Sequence, residues 1–355
     1  MRIIVTGGAG FIGSALVRHL LACTNHQILN IDALGYCSSL TALEGALDHA
    51  RHRFAQIDIT DGERVATLLE EFEPDAVMHL AAESHVDRSI DSPWPFVRSN
   101  ILGTFELLER VRAHLARRES AARLSFRFLH VSTDEVFGGP VYGALLHEAT
   151  PYAPSSPYAA SKASADHLVR AWHRTYGMPT IVTNCSNNFG PYQFPEKLIP
   201  LVITNALAGR PLPVYGDGQQ VRDWLYVQDH VEALCRVLER GTPGATYNIG
   251  AFNQRTNLAV VEMVCATLDA CVAARPAGLD SHAQLIRFVA DRPGHDRRYA
   301  IDAGRMRDEL EWRARHPFEP TLAETVRWYV EHQDWCREVG AAGVAATRRG
   351  LGGGT

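Results

Sequence analysis

The chain has 355 residues, with 46% hydrophobic and 21% charged side chains, a globular composition that excludes disordered, collagen-like and low-complexity classes. Its formal net charge of −5 has the wrong sign for non-specific binding to nucleic acid phosphates. No apolar run approaches the ~18 residues of a membrane helix, and the N-terminus lacks the apolar core of an export signal. We therefore expect a soluble protein with no nucleic acid and no membrane as partner.

The cysteines and histidines argue against structural metal sites and disulfides. The seven cysteines are scattered and show no C-x-x-C spacing, which suggests neither a disulfide framework nor a zinc site. The 16 histidines include no H-E-x-x-H motif, so no metal is expected. Free cysteines are typical of a reducing compartment, and we predict a cytoplasmic location.

The first half of the chain alternates short apolar segments with segments of helix length. In chain order, the predicted strands cover residues 2–6, 27–31, 54–57, 76–80 and 126–131. The main predicted helices between them cover residues 11–23, 62–72 and 97–115. This alternation predicts an α/β fold, a Rossmann-like doubly wound parallel sheet.

The alternation loosens after about Tyr176, where prolines and glycines separate shorter segments. We predict a Rossmann-like domain over residues 1–185 and a smaller C-terminal α/β substrate-binding lobe over residues 186–335. This prediction leaves open that some segments after residue 185 belong to the first domain instead. Residues 341–355 are rich in Ala, Gly and Arg, and we predict a disordered tail there.

A glycine-rich turn, TGGAGFIG, follows the first predicted strand and precedes the first predicted helix. Gly7, Gly10 and Gly13 let the backbone approach a pyrophosphate at the helix N-terminus. Asp32 closes the second strand 19 residues after Gly13, where a carboxylate accepts hydrogen bonds from ribose hydroxyls and repels a 2′-phosphate. The pattern favours NAD over NADP, and it makes the Rossmann-like domain over residues 1–185 an NAD-binding domain. A turn that serves only helix packing is the alternative.

Tyr158 and Lys162, in the segment YAASK, lie four residues apart on one face of a predicted helix. A positive charge lowers the pKa of a nearby tyrosine, so Lys162 with an oxidised nicotinamide makes Tyr158 a candidate base. An ordinary surface helix is the alternative. The chain has only two lysines, Lys162 and Lys197, beside 33 arginines. Either these two positions need a lysine, or chance retained them.

Together, TGGAGFIG and YAASK resemble the extended short-chain dehydrogenase/reductase superfamily. Longer segments are similar to those of the dTDP-glucose 4,6-dehydratase family, from Met1 to about Trp335: LAAESHVDRSI, STDEVFG, APSSPYAASKASADH, NCSNNFGPYQFPEKLIP, YGDGQQVRDWLYVQDH and ADRPGHDRRYAID. The resemblance implies a lyase with tightly bound NAD. Its substrate would be dTDP-glucose and its product dTDP-4-keto-6-deoxyglucose.

The resemblance also implies catalytic roles for residues in STDEVFG, which closes the fifth predicted strand at the carboxyl edge of the sheet. In the family, Tyr158 removes the 4-hydroxyl proton while a hydride passes to NAD, and Thr133 orients that hydroxyl. Glu135 then takes the C5 proton while Asp134 protonates the departing 6-hydroxyl, and the hydride returns to C6. Two adjacent carboxylates whose charges repel can supply an acid and a base. A solvated Asp-Glu pair in a loop is the alternative.

Further contacts are carried over by resemblance. The expected cofactor residues are Gly7, Gly10, Phe11, Ile12, Gly13, Asp32, Ala33, Leu34, Gly35, Asp58, Ile59, Leu80, Ala81, Ala82, Ser84, Ser99, Tyr158, Lys162 and Asn188. The expected substrate residues are Ser84, Thr133, Asn187, Glu196, Lys197, Leu198, Pro213, Tyr215, Arg222, Asn257, Asp291, Arg292 and His295. A capped loop is the alternative for Asp58 and Ile59, and a solvated surface charge is the alternative for Lys197 and Arg222.

Three features depart from the family pattern. Residues 33–39 replace a stretch that commonly carries Lys, Thr and a Gly-Asn pair. Phe137 and Phe189 replace frequent tyrosines. The segment between Gly139 and Pro151 is shorter than in some members, so that a lid over the sugar is expected to differ.

Other activities of the superfamily are the nearest alternatives. Decarboxylases of UDP-glucuronate typically have a serine in place of Asp134, and 4-epimerases typically lack the acid pair, so Asp134 and Glu135 favour elimination of water. A non-catalytic NAD-sensing protein is the alternative of another class. A homodimer is expected from the family resemblance, through helices 97–115 and 163–176, although packing on the sheet explains their apolar faces equally well.

Overall fold

The computed structural model describes residues 1–139 and 143–342. The predicted disordered tail lies outside the described residues, except for positions 341 and 342 at the end of the last helix. Residues 140–142, within the shortened segment before Pro151, also lie outside. No helix in the described ranges is both long enough and apolar enough to cross a membrane.

Strands and helices alternate through the first half of the chain, as predicted. The strands are β1 (Arg2–Thr6), β2 (Gln27–Asp32), β3 (His52–Gln56), β4 (Ala76–His79), β5 (Arg127–Thr133), β6 (Thr180–Cys185), β7 (Asn187–Phe189), β8 (Leu212–Tyr215), β9 (Val221–Tyr226), β10 (Thr246–Ile249), β11 (Gln254–Thr256) and β12 (Ile286–Val289). The helices are α1 (Phe11–Cys23), α2 (Gly62–Phe72), α3 (Val86–Asp91), α4 (Trp94–Phe96), α5 (Gly103–Ala116), α6 (Ser120–Ser125), α7 (Pro157–Tyr176), α8 (Leu198–Leu207), α9 (Val227–Arg240), α10 (Asn257–Cys271), α11 (Gly304–Leu310), α12 (Phe318–Glu331) and α13 (Gln333–Ala342).

Seven parallel strands form the main sheet in the order β10-β6-β5-β4-β1-β2-β3. The predicted Rossmann-like doubly wound α/β fold is confirmed. The strand order reverses between β1 and β4, and this switch point opens a crevice at the carboxyl ends of both strands. The glycine turn after β1 and the STDEVFG segment after β5 therefore meet at the same edge of the sheet.

Alternate side chains of the buried strands pack against helices on opposite faces of the sheet. Ile3 and Val5 of β1 belong to a cluster with Leu16 of α1 and Val231 of α9. Ile4 belongs to a different cluster, which includes Leu107 of α5 and Val169 of α7. Both faces of the sheet are therefore covered, as parallel sheets require.

The second half of the chain builds a smaller lobe and also returns to the main sheet. Its own strands form a sheet in the order β11-β9-β7 and a parallel β8-β12 pair, and helices α8, α10 and α12 contribute Ile203, Val264 and Val326 to its core. Strand β10 joins the edge of the main sheet, and α9 packs Val237 into the first core. The lobe boundary at residue 185 falls at the end of β6, and the division into two domains stays a prediction.

Candidate active site

Two cavities meet at the carboxyl edge of the main sheet. The first, of about 470 Å³, runs along the switch point from the glycine turn to the end of β5. The second, of about 240 Å³, lies between α3 and the smaller lobe. Five residues line both cavities: His85, Glu135, Asn187, Glu196 and Lys197. A group bound in one cavity can therefore touch a group bound in the other.

Close packing explains the glycines of the turn. Gly7 has a φ of +74°, a left-handed conformation that side chains disfavour. A Cβ atom on Gly13 would lie 2.1 Å from the carbonyl oxygen of Gly7, so the first turn of α1 packs directly on the glycine turn. Gly10, at the N-terminus of α1, has no side-chain cap there and lines the cavity. The helix N-terminus thus faces the cavity with free backbone N–H groups, which suit an anion.

Asp32 ends β2 with its carboxylate on the cavity wall. Its two oxygens accept backbone N–H groups of Ala9 at 2.9 Å and of Leu34 at 2.8 Å. Burial raises the pKa of Asp32, and these two hydrogen bonds act in the opposite direction. A carboxylate oxygen has more than one acceptor site, so Asp32 can still accept ribose hydroxyls.

Apart from Leu34, the residues expected to contact the cofactor line the first cavity. Leu34 has a φ of +55° and packs against the core, and its contribution is the N–H bond to Asp32. At the far end of the cavity, the carboxylate of Asp58 accepts hydrogen bonds from Thr60 and from the guanidinium of Arg98. Burial opposes ionisation of Asp58, but these bonds outweigh it and lower the pKa. Asp58 is therefore both part of a capped loop and part of the cavity wall.

The five expected catalytic residues all line the first cavity. Thr133 ends β5, and Asp134 and Glu135 begin the short 3-10 helix that follows. Tyr158 and Lys162 come from α7, which begins with Ser156 capping the N–H of Ala159 and Pro157 in the first turn. The four-residue spacing places both side chains on the buried face of α7.

The acid pair is asymmetric. Asp134 is buried and Glu135 is partly exposed. Burial raises the pKa of Asp134 well above its ordinary value, and the nearby charge of Glu135 raises it further. Asp134 is therefore suited to carry a proton that it can give to a leaving group.

Burial is the main influence on the pKa of Tyr158. Burial raises this pKa well above its ordinary value, the charge of Glu135 adds to the rise, and Thr133 opposes it through a hydrogen bond. Burial also lowers the pKa of Lys162, whose ammonium donates to the carbonyl oxygen of Val131 at 2.9 Å. Lys162 alone does not lower the pKa of Tyr158 below 10, because desolvation dominates. The expected phenolate therefore depends on further positive charge, such as that of an oxidised nicotinamide.

Apart from Asp291, the expected substrate residues line one or both cavities. The carboxylate of Asp291 instead accepts hydrogen bonds from His295 Nδ1 at 2.7 Å and Gln220 Nε2 at 3.1 Å. Arg222 is buried, and its guanidinium lies 4.4 Å from the ring centre of Tyr299. Lys197 donates to the carbonyl oxygen of Ser84 at 2.7 Å. These cations face a cavity that suits a diphosphate.

Sequence reasoning missed a cluster in the wall between the two cavities. The guanidinium of Arg88 donates to both carboxylate oxygens of Glu196, at 3.2 and 2.9 Å, and lies 3.6 Å from the ring centre of Tyr36. His85 Nε2 is 3.3 Å from the same carboxylate. His85 and Arg88 lie in the quoted segment LAAESHVDRSI, but their partners are distant in sequence. The cluster joins the loop after β2 to Glu196, one of the expected substrate residues.

The two phenylalanines that replace tyrosines are buried among other rings. Phe137 packs edge-on against Tyr152 at 5.1 Å. Phe189 packs against Trp224, Tyr226 and Phe318. A tyrosine hydroxyl would have to find a partner in these apolar surroundings, so phenylalanine suits both positions.

Comparisons with known proteins agree with this geometry. The sequence model of the GDP-mannose 4,6 dehydratase family matches residues 4–325. A dTDP-glucose 4,6-dehydratase of Escherichia coli is 51% identical over 360 residues, covering 99% of each chain. One of Neisseria gonorrhoeae is 55% identical over 333 residues, covering 93% of this chain and 96% of its own.

A solved structure is similar over the same length. The dTDP-glucose 4,6-dehydratase of Streptomyces venezuelae, solved with NAD and TYD bound, superposes with a TM-score of 0.86 at 42% identity. The match covers 96% of this chain and 100% of that one. The resemblance predicted from the motifs is confirmed, and the chain belongs to the GDP-mannose 4,6-dehydratase family, within which these relatives are dTDP-glucose 4,6-dehydratases.

Proposed function

We propose that the protein is a dTDP-glucose 4,6-dehydratase, a lyase with tightly bound NAD. Curated relatives that match nearly its full length carry this name, and the Streptomyces relative binds NAD and TYD. One observation carries the proposal: Asp134, Glu135, Tyr158 and Lys162 line a single cavity that opens into a second, cation-bearing cavity. The catalytic and binding assignments below are part of this proposal.

The first cavity fits NAD. The glycine turn and the N-terminus of α1 can bind a pyrophosphate, and the carboxylate of Asp32 can accept hydrogen bonds from the adenosine ribose. Tyr158 and Lys162 line the same cavity, and we assign the nicotinamide to the place beside them. Bound there, NAD supplies the acceptor for the C4 hydride and the donor that returns it to C6.

Oxidation at C4 requires loss of the 4-hydroxyl proton. Tyr158 takes this proton, because the phenol is within the same cavity as the sugar and its phenolate is favoured by the positive charge of Lys162 and of the cofactor. The hydroxyl of Thr133 holds the 4-hydroxyl in line with Tyr158. The resulting ketone acidifies the hydrogen on C5.

Elimination then uses the acid pair. Glu135 removes the C5 proton, and protonated Asp134 gives its proton to the 6-hydroxyl, which leaves as water. After hydride returns to C6, Glu135 returns its proton to C5. The proton that Tyr158 took from the 4-hydroxyl then passes to Asp134, which gave its own proton to water, and this transfer returns the enzyme to its starting state.

The second cavity holds the nucleotide. Arg222 and Arg292 supply forked donors and Lys197 a point charge for the diphosphate oxygens. The nucleotide thereby fixes the hexose across the shared wall, close to Glu135. A substrate held at its far end in this way reacts faster because its reacting carbons are already positioned.

The test compares dTDP-glucose, UDP-glucose and CDP-glucose as separate substrates, with products followed by mass spectrometry. We expect loss of one water from dTDP-glucose and no reaction by a Tyr158→Phe variant. A 4-epimerase would leave the mass unchanged, and a decarboxylase would release carbon dioxide from UDP-glucuronate instead. An NAD-binding protein that transforms none of these sugars would contradict the proposal.

We also infer a homodimer formed through α5 and α7. Apolar side chains of these helices and of the π-helix Val97–Leu102, which precedes α5, stay exposed, among them Leu102, Phe105 and Tyr176 with exposed fractions of 44, 38 and 51%. A second copy of the same face would cover them. We expect Phe105→Arg to convert the dimer to a monomer in light scattering, while Phe288→Arg, a matched change at an exposed ring of β12, leaves it dimeric. A monomeric native protein would contradict this inference.

We further infer a cytoplasmic location. All seven cysteines are free thiols, including the buried Cys185 in the proposed active site. Free thiols persist in a reducing compartment. Cell fractionation that recovers the protein outside the cytoplasm would contradict this inference.

A further inference from the structure

A fully buried acidic side chain lies one helical turn beyond Lys162, and the mechanism above does not use it. Asp166 follows Lys162 by four residues on the buried face of α7, and its exposed fraction is 0%. It does not line either cavity. A buried carboxylate is costly unless other groups stabilise it, so its surroundings need an explanation.

Three neighbours hold the Asp166 carboxylate. The hydroxyl of Tyr152 donates to Oδ2 at 2.8 Å, and the amide of Asn184 donates to the same oxygen at 3.3 Å. On the other side, His130 Nε2 lies 3.1 Å from Oδ1. Burial opposes ionisation of Asp166, but His130, the charge of Lys162 and the hydrogen bond from Tyr152 outweigh it and lower its pKa. Asp166 is therefore an anion.

The other titratable groups around Lys162 and Asp166 are mostly neutral. Burial lowers the pKa of His130, on β5, to about 4, and that of His79, on β4, well below its ordinary value. Burial raises the pKa of Cys185, at the end of β6, to about 12, and that of Tyr152 above its ordinary range. At neutral pH these four groups carry no charge.

Two cations remain in the cluster. Arg170, one turn further along α7, donates to the Tyr152 hydroxyl at 2.6 Å and to Thr246 at 3.2 Å. Lys162 is 4% exposed, and its ammonium is held by the neutral carbonyl of Val131. Burial favours the neutral amine of Lys162, and the charge of Asp166 is the largest influence in the opposite direction. The two groups stabilise each other's charged forms through a dry interior, where charges act strongly.

We propose that Asp166 is a positioning residue that keeps Lys162 in its ammonium form, with His130, Tyr152 and Asn184 fixing its carboxylate. This inference rests on the proposed function, in which the ammonium favours the phenolate of Tyr158. The polar cluster behind α7 is then an electrostatic support for the catalytic pair. A carboxylate that only ties α7 to β5 and β6 is the competing explanation.

The scarcity of lysine allows a direct measurement. Because the chain has only Lys162 and Lys197, protein labelled with ε-¹³C-lysine shows two side-chain resonances, and Lys197→Arg identifies them. Each shift is followed against pH in protein loaded with NAD, and the midpoint reports the protonation of that amine. We expect Asp166→Asn to lower the Lys162 midpoint by about one to three pH units and to leave the Lys197 midpoint in place.

Tyr152→Phe is the matched control. It removes one hydrogen bond to Asp166 but keeps the negative charge, so the Lys162 midpoint should move much less than in Asp166→Asn. If Asp166 only linked α7 to β5 and β6, Asp166→Asn and Tyr152→Phe would shift the Lys162 midpoint by the same amount. An unchanged Lys162 midpoint in Asp166→Asn, or equal shifts in the two variants, would overturn the proposal.

A second comparison applies if Asp166→Asn alone does not fold. In a Lys162→Met background the Asp166 carboxylate no longer has an ammonium to stabilise, so adding Asp166→Asn should cost much less stability than in the native background and the double variant should fold. A purely structural Asp166 would cost as much stability in the Lys162→Met background, and the double variant would also fail to fold. None of these measurements requires turnover, so an inactive native protein would refute the proposed function and leave this inference to its own test.

Discussion

Asp134→Asn tests the proposed acid, because it changes one step of the reaction and preserves the shape of the side chain. Asp134 is 2% exposed, and burial together with Glu135 keeps its pKa far above the ordinary range. Within the described part of the chain, its Oδ2 atom is buried and has no hydrogen-bond partner. This oxygen is thus available to the departing hydroxyl. An amide of the same size can bind that hydroxyl but cannot protonate it.

The structure also sets the expected magnitude. General acids contribute about 10² to 10⁴ in rate, which corresponds to about 3 to 5 kcal/mol of transition-state stabilisation. Because Asp134 is enclosed, water cannot easily replace it as the acid, and we expect a loss near the upper end, about 10³ to 10⁴ in kcat. Oxidation at C4 depends on Tyr158 and Lys162 and should continue.

The assay separates the two steps. Rapid mixing of the NAD-loaded variant with dTDP-glucose should show accumulation of enzyme-bound reduced nicotinamide, while mass spectrometry shows slow loss of water. Asp61→Asn is the control, because Asp61 caps α2 at an exposed position and asparagine can also cap. Elimination at the native rate in Asp134→Asn would refute the role of this carboxyl group. Loss of the reduced intermediate as well would show that Asp134 acts earlier.

The remaining predictions concern stability, the lysine and the glycine turn. Burial raises the folded-state pKa of Asp134, so the stability that this carboxyl group contributes is present at low pH and is lost as pH rises. Asp134→Asn should therefore raise the melting temperature more at pH 8 than at pH 4. A gain in melting temperature that shrinks as pH rises would contradict the direction of the pKa shift. Lys162→Arg should lower turnover by about tenfold or more, because the larger, planar guanidinium group cannot replace a compact ammonium at this buried position. The control is Arg123→Lys at an exposed position, and near-native turnover in both variants would contradict this prediction. Gly13→Ala should abolish copurification of NAD, because the new Cβ would clash with Gly7. Gly340→Ala is the control and should retain NAD, because a Cβ at Gly340 has open space around it. Equal NAD content in both variants would contradict the proposed pyrophosphate site at the glycine turn.

Much of the fold was predictable because its signals are local. The alternation of buried strands and helices, the glycine turn and the Tyr158-Lys162 spacing each lie within a short stretch of sequence. The return of β10 to the main sheet was less visible, since Tyr247 packs into a core that residues from both halves of the chain build together. Such pairing depends on contacts between distant residues, which hydrophobic periodicity does not encode.

The residues that line the site were predictable, but the contacts that hold those residues in place were not. Resemblance brought together residues that the cavities also bring together, but Arg88 and Glu196 are 108 positions apart, and no motif spacing connects them. Sequence patterns also do not show how strongly burial opposes the phenolate of Tyr158, because burial is a property of the folded chain. Leu34 and Asp291 do not line either cavity but hydrogen-bond to residues that do, Asp32 and His295. The sequence does not distinguish these two positions from the residues of the cavity wall.

The central claim is that hydride leaves C4 and returns to C6 of the same sugar. The most direct measurement uses dTDP-glucose deuterated at C4, mixed with unlabelled substrate, and locates deuterium in the product by NMR and mass spectrometry. The account predicts deuterium at C6 of the molecules that began with it, and a solvent-derived hydrogen at C5. Deuterium that stays at C4, or that spreads to the unlabelled molecules, would contradict it.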